Sequence, residues 1–143
     1  MAVITHGQAA HVHPITVALR ATAVSLTLAT AAIHASLGGM LFLANATGYA
    51  VLALAMVLPN PVGRWRWLIR LALIGFTAAT IAGWVAVGPR FGLAYLDKAI
   101  EIALVGVLLV EQWRSDGGPR GVARRIRLLV AGASRTTFAR GAR

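Results

Sequence analysis

The chain has only four acidic residues, and two of them, Asp97 and Glu101, stand four apart in an otherwise apolar stretch. On a helix this spacing puts both carboxyl groups on one face. Two charges so placed repel, so one must hold a proton or a cation must compensate both. Lys98 and His34 are the candidate cations within the chain. Three chemistries fit these residue types. A metal site would use His34, Asp97 and Glu101, although the paired histidine spacing of metalloenzymes is missing. Haem would take His34 as an axial ligand, with no second histidine in an apolar segment to complete a bis-histidine pair. A small polar or quinone-like molecule, or a proton exchanged with a partner, needs only hydrogen-bonding groups around an apolar cavity. Against these stands packing, in which the polar groups pair as glue between helices at about 1 kcal/mol each. Packing is the leading expectation, and no metal or cofactor is assigned.

The surroundings of these residues set the cost of holding them. Of 143 residues, 58% are hydrophobic and 13% charged, against about 25% charged in a soluble domain. The composition reads as a membrane protein, in which an ionisable side chain within the hydrocarbon is a functional candidate by default. With no cysteine, disulfide frameworks, thiolate metal sites and cysteine nucleophiles are excluded. The net charge of +10 points to anionic lipid headgroups, and nucleic acid is not expected.

A spanning helix needs about 20 predominantly apolar residues, and four stretches qualify. They run from about 15 to 34, 37 to 58, 65 to 87 and 91 to 113, bounded by Pro14, Pro59 and Pro61, Gly88-Pro89, and Gly117-Gly118-Pro119. The short links predict an all-α, integral membrane, up-down bundle of four antiparallel helices. Residues 1–14 form an amino-terminal segment, 15–113 the transmembrane domain and 114–143 a basic tail. A cleaved signal peptide is the alternative for the first stretch, but Arg20 alone makes a thin charged region and the apolar run is long.

Arginine gathers in the second link, at Arg64, Arg66 and Arg70, and in the tail. The positive-inside rule therefore predicts an inner (plasma) membrane protein with both termini cytoplasmic. Trp65, Trp67 and Trp113 are then expected at the inner interface. Within this topology every helix carries polar residues at one depth in its outer half. These are Thr27, Thr30 and His34 in the first helix, Asn45 and Tyr49 in the second, Thr77, Thr80 and Trp84 in the third, and Tyr95, Asp97, Lys98 and Glu101 in the fourth. They must find partners away from lipid, and a small polar cavity in the outer half of the bundle is expected.

From about 119 to 131, Val122, Ile126, Leu129 and Val130 recur at helical spacing, with Arg124, Arg125 and Arg127 between them. A short basic amphipathic helix on the inner leaflet is expected, its arginines meeting headgroups together with Arg64, Arg66 and Arg70. Beyond Gly132 no period remains and disorder is expected. Among the amino-terminal histidines His6, His11 and His13, the His-x-His spacing can bind copper, nickel or zinc, but without further ligands they read as solvent-exposed sequence.

The run Leu-Phe-Leu-Ala-Asn-Ala-Thr-Gly-Tyr ending at Tyr49, His34 shortly before Leu37-Gly38, and Tyr95-Leu-Asp-Lys-Ala-Ile-Glu101 resemble an uncharacterised family of small four-helix membrane proteins. Its members occur in high-GC bacteria and haloarchaea. The resemblance covers about Arg20 to Glu111. It implies the four-span fold, singles out His34, Asn45, Tyr49, Asp97, Lys98 and Glu101, and implies no activity. The functional expectation is an accessory or structural membrane subunit in a homo-oligomer or larger complex, with no evident catalytic motif. The alternative is a protein that binds or transports a small molecule, proton or cation through the outer polar cluster. A redox or quinone-modifying enzyme ranks third.

Overall fold

A computed structural model describes residues 14–59, 65–118, 120–128 and 131; the amino-terminal histidines, Arg64 and the segment beyond Ala131 lie outside them. All described elements are helical. Helix α1 (Pro14–Leu37) begins on a proline, whose missing N–H is no loss in a first turn. It runs past the expected end at 34 and stops at Gly38 and Gly39, whose φ of 68° and 80° suit glycine. Helix α2 (Met40–Val57) ends before Pro59, and α3 (Arg66–Val87) before Gly88-Pro89. Helix α4 (Gly92–Asp116) extends beyond the expected 113 and closes on Gly117, with φ 73°. Residues 120–128 are helical as well.

Three helices, α1, α2 and α3, are long and apolar enough to cross a membrane. The fourth expected span does not meet that standard on composition, because Asp97, Lys98 and Glu101 crowd its first half and Glu111, Arg114 and Asp116 its last turns. Its buried residues Ala94, Asp97, Lys98, Glu101, Leu104, Leu108, Glu111 and Gln112 recur three and four apart, so Asp97, Lys98, Glu101 and Glu111 follow one stripe of the helix, while Arg114 is exposed.

Helix α1 packs against α2 and α4, and α3 packs against the same two. The interior has three layers. An apolar middle is made by Ala23, Ala53, Met56, Leu73, Leu104 and Leu108. At one end, here called outer, lie Thr30, His34, Tyr49, Asp97 and Glu101; at the other, inner, end lie Arg70, Glu111 and Gln112. Among the described residues ten buried side chains are polar or charged and eleven are apolar, while Leu28, Leu41, Val51, Leu54, Val85, Ile102 and Leu109 are exposed. A polar interior inside an apolar exterior is the arrangement that hydrocarbon surroundings favour.

Trp67, expected at the interface, is only 5% exposed and belongs to the interior, whereas Trp113 faces outward. Helices α2 and α3 approach closely at Gly48, where a Cβ would stand 2.6 Å from the Phe76 ring.

Candidate functional site

The outer cluster joins all four helices. On α4, Asp97, Lys98 and Glu101 share the inward stripe. Lys98 Nζ donates to Glu101 Oε2 at 2.5 Å and lies 3.0 Å from Asp97 Oδ2. One ammonium thus bridges two carboxylates, all three groups being buried. From α2, the Tyr49 hydroxyl donates to Glu101 Oε1 at 2.8 Å; from α3, Thr80 Oγ1 lies 3.0 Å from the same oxygen and 2.9 Å from the Tyr49 hydroxyl. From α1, Thr30 Oγ1 donates to Asp97 Oδ1 at 2.5 Å.

His34 sits between the carboxylates. Its Nδ1 is 2.9 Å from the Thr30 carbonyl oxygen and 3.6 Å from Asp97 Oδ1, and its Nε2 is 4.0 Å from Glu101 Oε1. A carbonyl oxygen can only accept, so Nδ1 carries a proton in this arrangement, and Nε2 of a neutral ring is left as an acceptor. With the ring neutral, two carboxylates face a single ammonium. The cluster has room for one further positive charge, either as a proton on His34 or as a bound cation. His34, Asp97 and Glu101 bring ligand atoms within 4.8 Å of one another, which fits a metal ion only if Lys98 gives up its place between the carboxylates.

Beside the cluster lies a cavity of about 360 Å³. His34, Asn45, Thr80, Asp97 and Lys98 form its polar part, while Phe42, Phe76, Trp84 and Phe91 are aromatic walls. Gly83 lines it too, and a Cβ there would meet nothing within 4 Å. Trp84 is held by a hydrogen bond from Nε1 to the Pro89 carbonyl at 2.9 Å and by the Arg90 guanidinium 4.1 Å above its ring.

The polar residues expected to converge therefore fall into three groups. His34, Tyr49, Thr80, Asp97, Lys98 and Glu101 meet directly, and Asn45 and Trp84 line the cavity next to them. Tyr95 stands apart: it is 52% exposed and packs edge-on against Trp84, with ring centres 5.3 Å apart. Neighbouring Asp97 in sequence does not bring it onto the inward face of α4.

A second polar cluster, at the inner end, was not anticipated. Arg70, expected at lipid headgroups, is 3% exposed. Its Nε donates to Gln112 Oε1 at 2.7 Å and its Nη1 to Glu111 Oε1 at 3.1 Å, while Nη2 pairs with Asp116. Arg20 Nε lies 3.5 Å from Glu111 Oε1, and Arg125 bonds Asp116 Oδ1 at 2.7 Å, tying the tail helix to the bundle. Arg66, half buried, donates to the Leu58 carbonyl, and Arg124 and Arg127 are exposed. The missed signal was the set of acids: all four acidic side chains of this chain are buried and ion-paired. With so few acids in an apolar chain, each marks a place where a helix must meet a cation.

Comparison with family models, with curated proteins and with solved structures finds no match to this chain.

Proposed function

We propose that this chain is a multi-pass protein of the inner (plasma) membrane, a four-helix up-down bundle whose outer half binds a small lipid-soluble molecule beside a protonatable cluster. The cavity of about 360 Å³ carries this reading, since aromatic walls meet His34, Asn45, Asp97 and Lys98 at one end of it. Mostly apolar concavities with a few convergent polar groups are the usual form of a ligand site. The fourth span is supported by the stripe on α4, whose ionisable residues face inward while Leu96, Ile102, Leu109 and Val110 are exposed. The arginine-rich end supports cytoplasmic termini, with Arg64, Arg66, Arg124, Arg125 and Arg127 near anionic headgroups.

Native mass spectrometry of the protein extracted gently from its own membrane tests the reading. A reproducible added mass that disappears when Gly83→Trp fills the cavity is the expected result. A bare chain, with the same spectrum in Gly83→Trp, overturns it.

One observation favours a second reading, the accessory or structural subunit. Both oxygens of Glu101 are already engaged, by Tyr49 and Lys98, as interhelical glue requires. A homo-oligomer or larger membrane complex would then persist in the same spectra without any small molecule.

A further inference from the structure

We infer that the cavity takes an uncharged, lipid-soluble molecule with a phenol-type hydroxyl head, and that His34 accepts the proton of that hydroxyl. The inference rests on the ligand-binding reading above and adds the class of ligand.

Charge narrows the class first. Asp97 and Lys98 both line the cavity, so an anionic head would meet the carboxylate and a cationic head the ammonium. A neutral, dipolar head avoids both penalties. Hydrogen-bonding capacity narrows it further. Lys98 is engaged by Asp97 and Glu101, Thr30 by Asp97, and Thr80 by Glu101 and the Thr77 carbonyl. Two cavity groups remain. Neither the Asn45 amide nor His34 Nε2 makes a hydrogen bond to any described residue, Glu101 Oε1 lying 4.0 Å from that nitrogen.

With Nδ1 committed to the Thr30 carbonyl, Nε2 is an acceptor and calls for a donor. A hydroxyl supplies that donor, and its oxygen accepts from the Asn45 amide N–H. A ketone or an ether would use Asn45 alone. Phe42, Phe76, Trp84 and Phe91 suit an aromatic ring behind the hydroxyl. Leu41 and Val87, which line the cavity and are strongly exposed, leave a way out for an alkyl tail.

Proton transfer in this arrangement is balanced. The O–H bond breaks, an Nε2–H bond forms, and phenol plus imidazole become phenolate plus imidazolium with no electron transferred. The imidazolium lies 3.6 Å from an Asp97 oxygen and 4.0 Å from a Glu101 oxygen, adding the positive charge that Lys98 alone leaves short. Unlike a head that enters as an anion, the phenolate forms only together with the imidazolium beside it, so the ligand brings no net charge into the cavity it shares with Lys98 and the Asn45 amide.

The test uses the full chain in detergent micelles and titrates 4-octylphenol against its methyl ether, 4-octylanisole. The phenol should bind about tenfold tighter than the ether, the scale of one hydrogen bond made in a dry site. The preference should shrink several-fold in His34→Gln and in Asn45→Leu, and Gly83→Trp should abolish binding of both probes. A visible-absorbing probe with the nitro group para to the hydroxyl, 3-octyl-4-nitrophenol, should show more phenolate when bound than in protein-free micelles, and lose that excess in His34→Gln. Equal binding of phenol and ether, both lost in Gly83→Trp, overturns the hydroxyl class and leaves the cavity reading standing. Binding insensitive to Gly83→Trp, or no binding, overturns the cavity reading itself. A phenol preference and phenolate excess unchanged in His34→Gln overturn the role of His34.

Discussion

The Tyr49 hydroxyl donates to Glu101 Oε1 at 2.8 Å, joining α2 to α4 across the interior. Tyr49→Phe keeps the ring and its edge-on contact with Phe76 but strips a donor from a fully buried carboxylate. A loss of about 1–3 kcal/mol is expected, read as a lower unfolding midpoint in detergent. Thr80→Val should cost less, because Tyr49 and Lys98 continue to serve Glu101.

Lys98 is the more sensitive position. Lys98→Met leaves Asp97 and Glu101 buried without their shared ammonium, at a cost of about 3–5 kcal/mol. Adding Glu101→Gln removes one of the stranded charges and should restore part of the loss. A double mutant no more stable than Lys98→Met would show that the two side chains do not act as a pair.

At the inner end, Arg70→Met leaves Glu111 with Arg20 and Asp116 with Arg125, and about 1.5–3 kcal/mol is expected for the lost charged hydrogen bonds. Arg125→Ala touches only the exposed member of that network and should cost about 0–1 kcal/mol. It should, however, speed proteolysis within residues 120–128, because the Asp116 tether is gone.

Two glycines on the facing helices should respond oppositely. Gly48→Ala drives a Cβ to 2.6 Å from the Phe76 ring, costing about 1–3 kcal/mol unless Phe76→Leu relieves it. Gly83→Ala meets nothing within 4 Å and should stabilise the helix by up to about 1 kcal/mol. Thermal melts of the three variants decide the matter.

The cysteine-free chain allows the topology to be mapped with single cysteines. In intact cells a membrane-impermeant maleimide should label Ser36→Cys at once, and Arg120→Cys only after permeabilisation. Three crossings separate these positions if α4 spans the membrane, and two if it does not. Labelling both on the same side would therefore remove α4 from the spans, and the reverse pattern would invert the orientation.

The helical class, most element boundaries and the outer cluster were legible in the residues themselves. Proline marks the ends of α2 and α3 because it removes a donor, and glycine those of α1 and α4 because it accepts a positive φ. Buried ionisable groups announce themselves because hydrocarbon makes each of them costly, and so His34, Tyr49, Asp97, Lys98 and Glu101 stood out. The register of that cluster did not follow from position along the chain. Tyr95 lies two residues from Asp97, yet rotation of about 200° around the helix carries it to the outside, against Trp84.

The inner cluster was misread for a related reason. Arg70 lies beside Arg64 and Arg66 in a link whose arginines are expected at headgroups, and sequence alone cannot tell an arginine that snorkels outward from one that turns inward. Only the packing of α3 on α4 decides it, by bringing Glu111, Gln112 and Asp116 to its guanidinium. Composition and periodicity determine what each helix can tolerate on each face. Which face meets which neighbour, and so where a cavity opens, is decided by side-chain shapes fitting between helices, as with Gly48 under Phe76 and the open wall at Gly83.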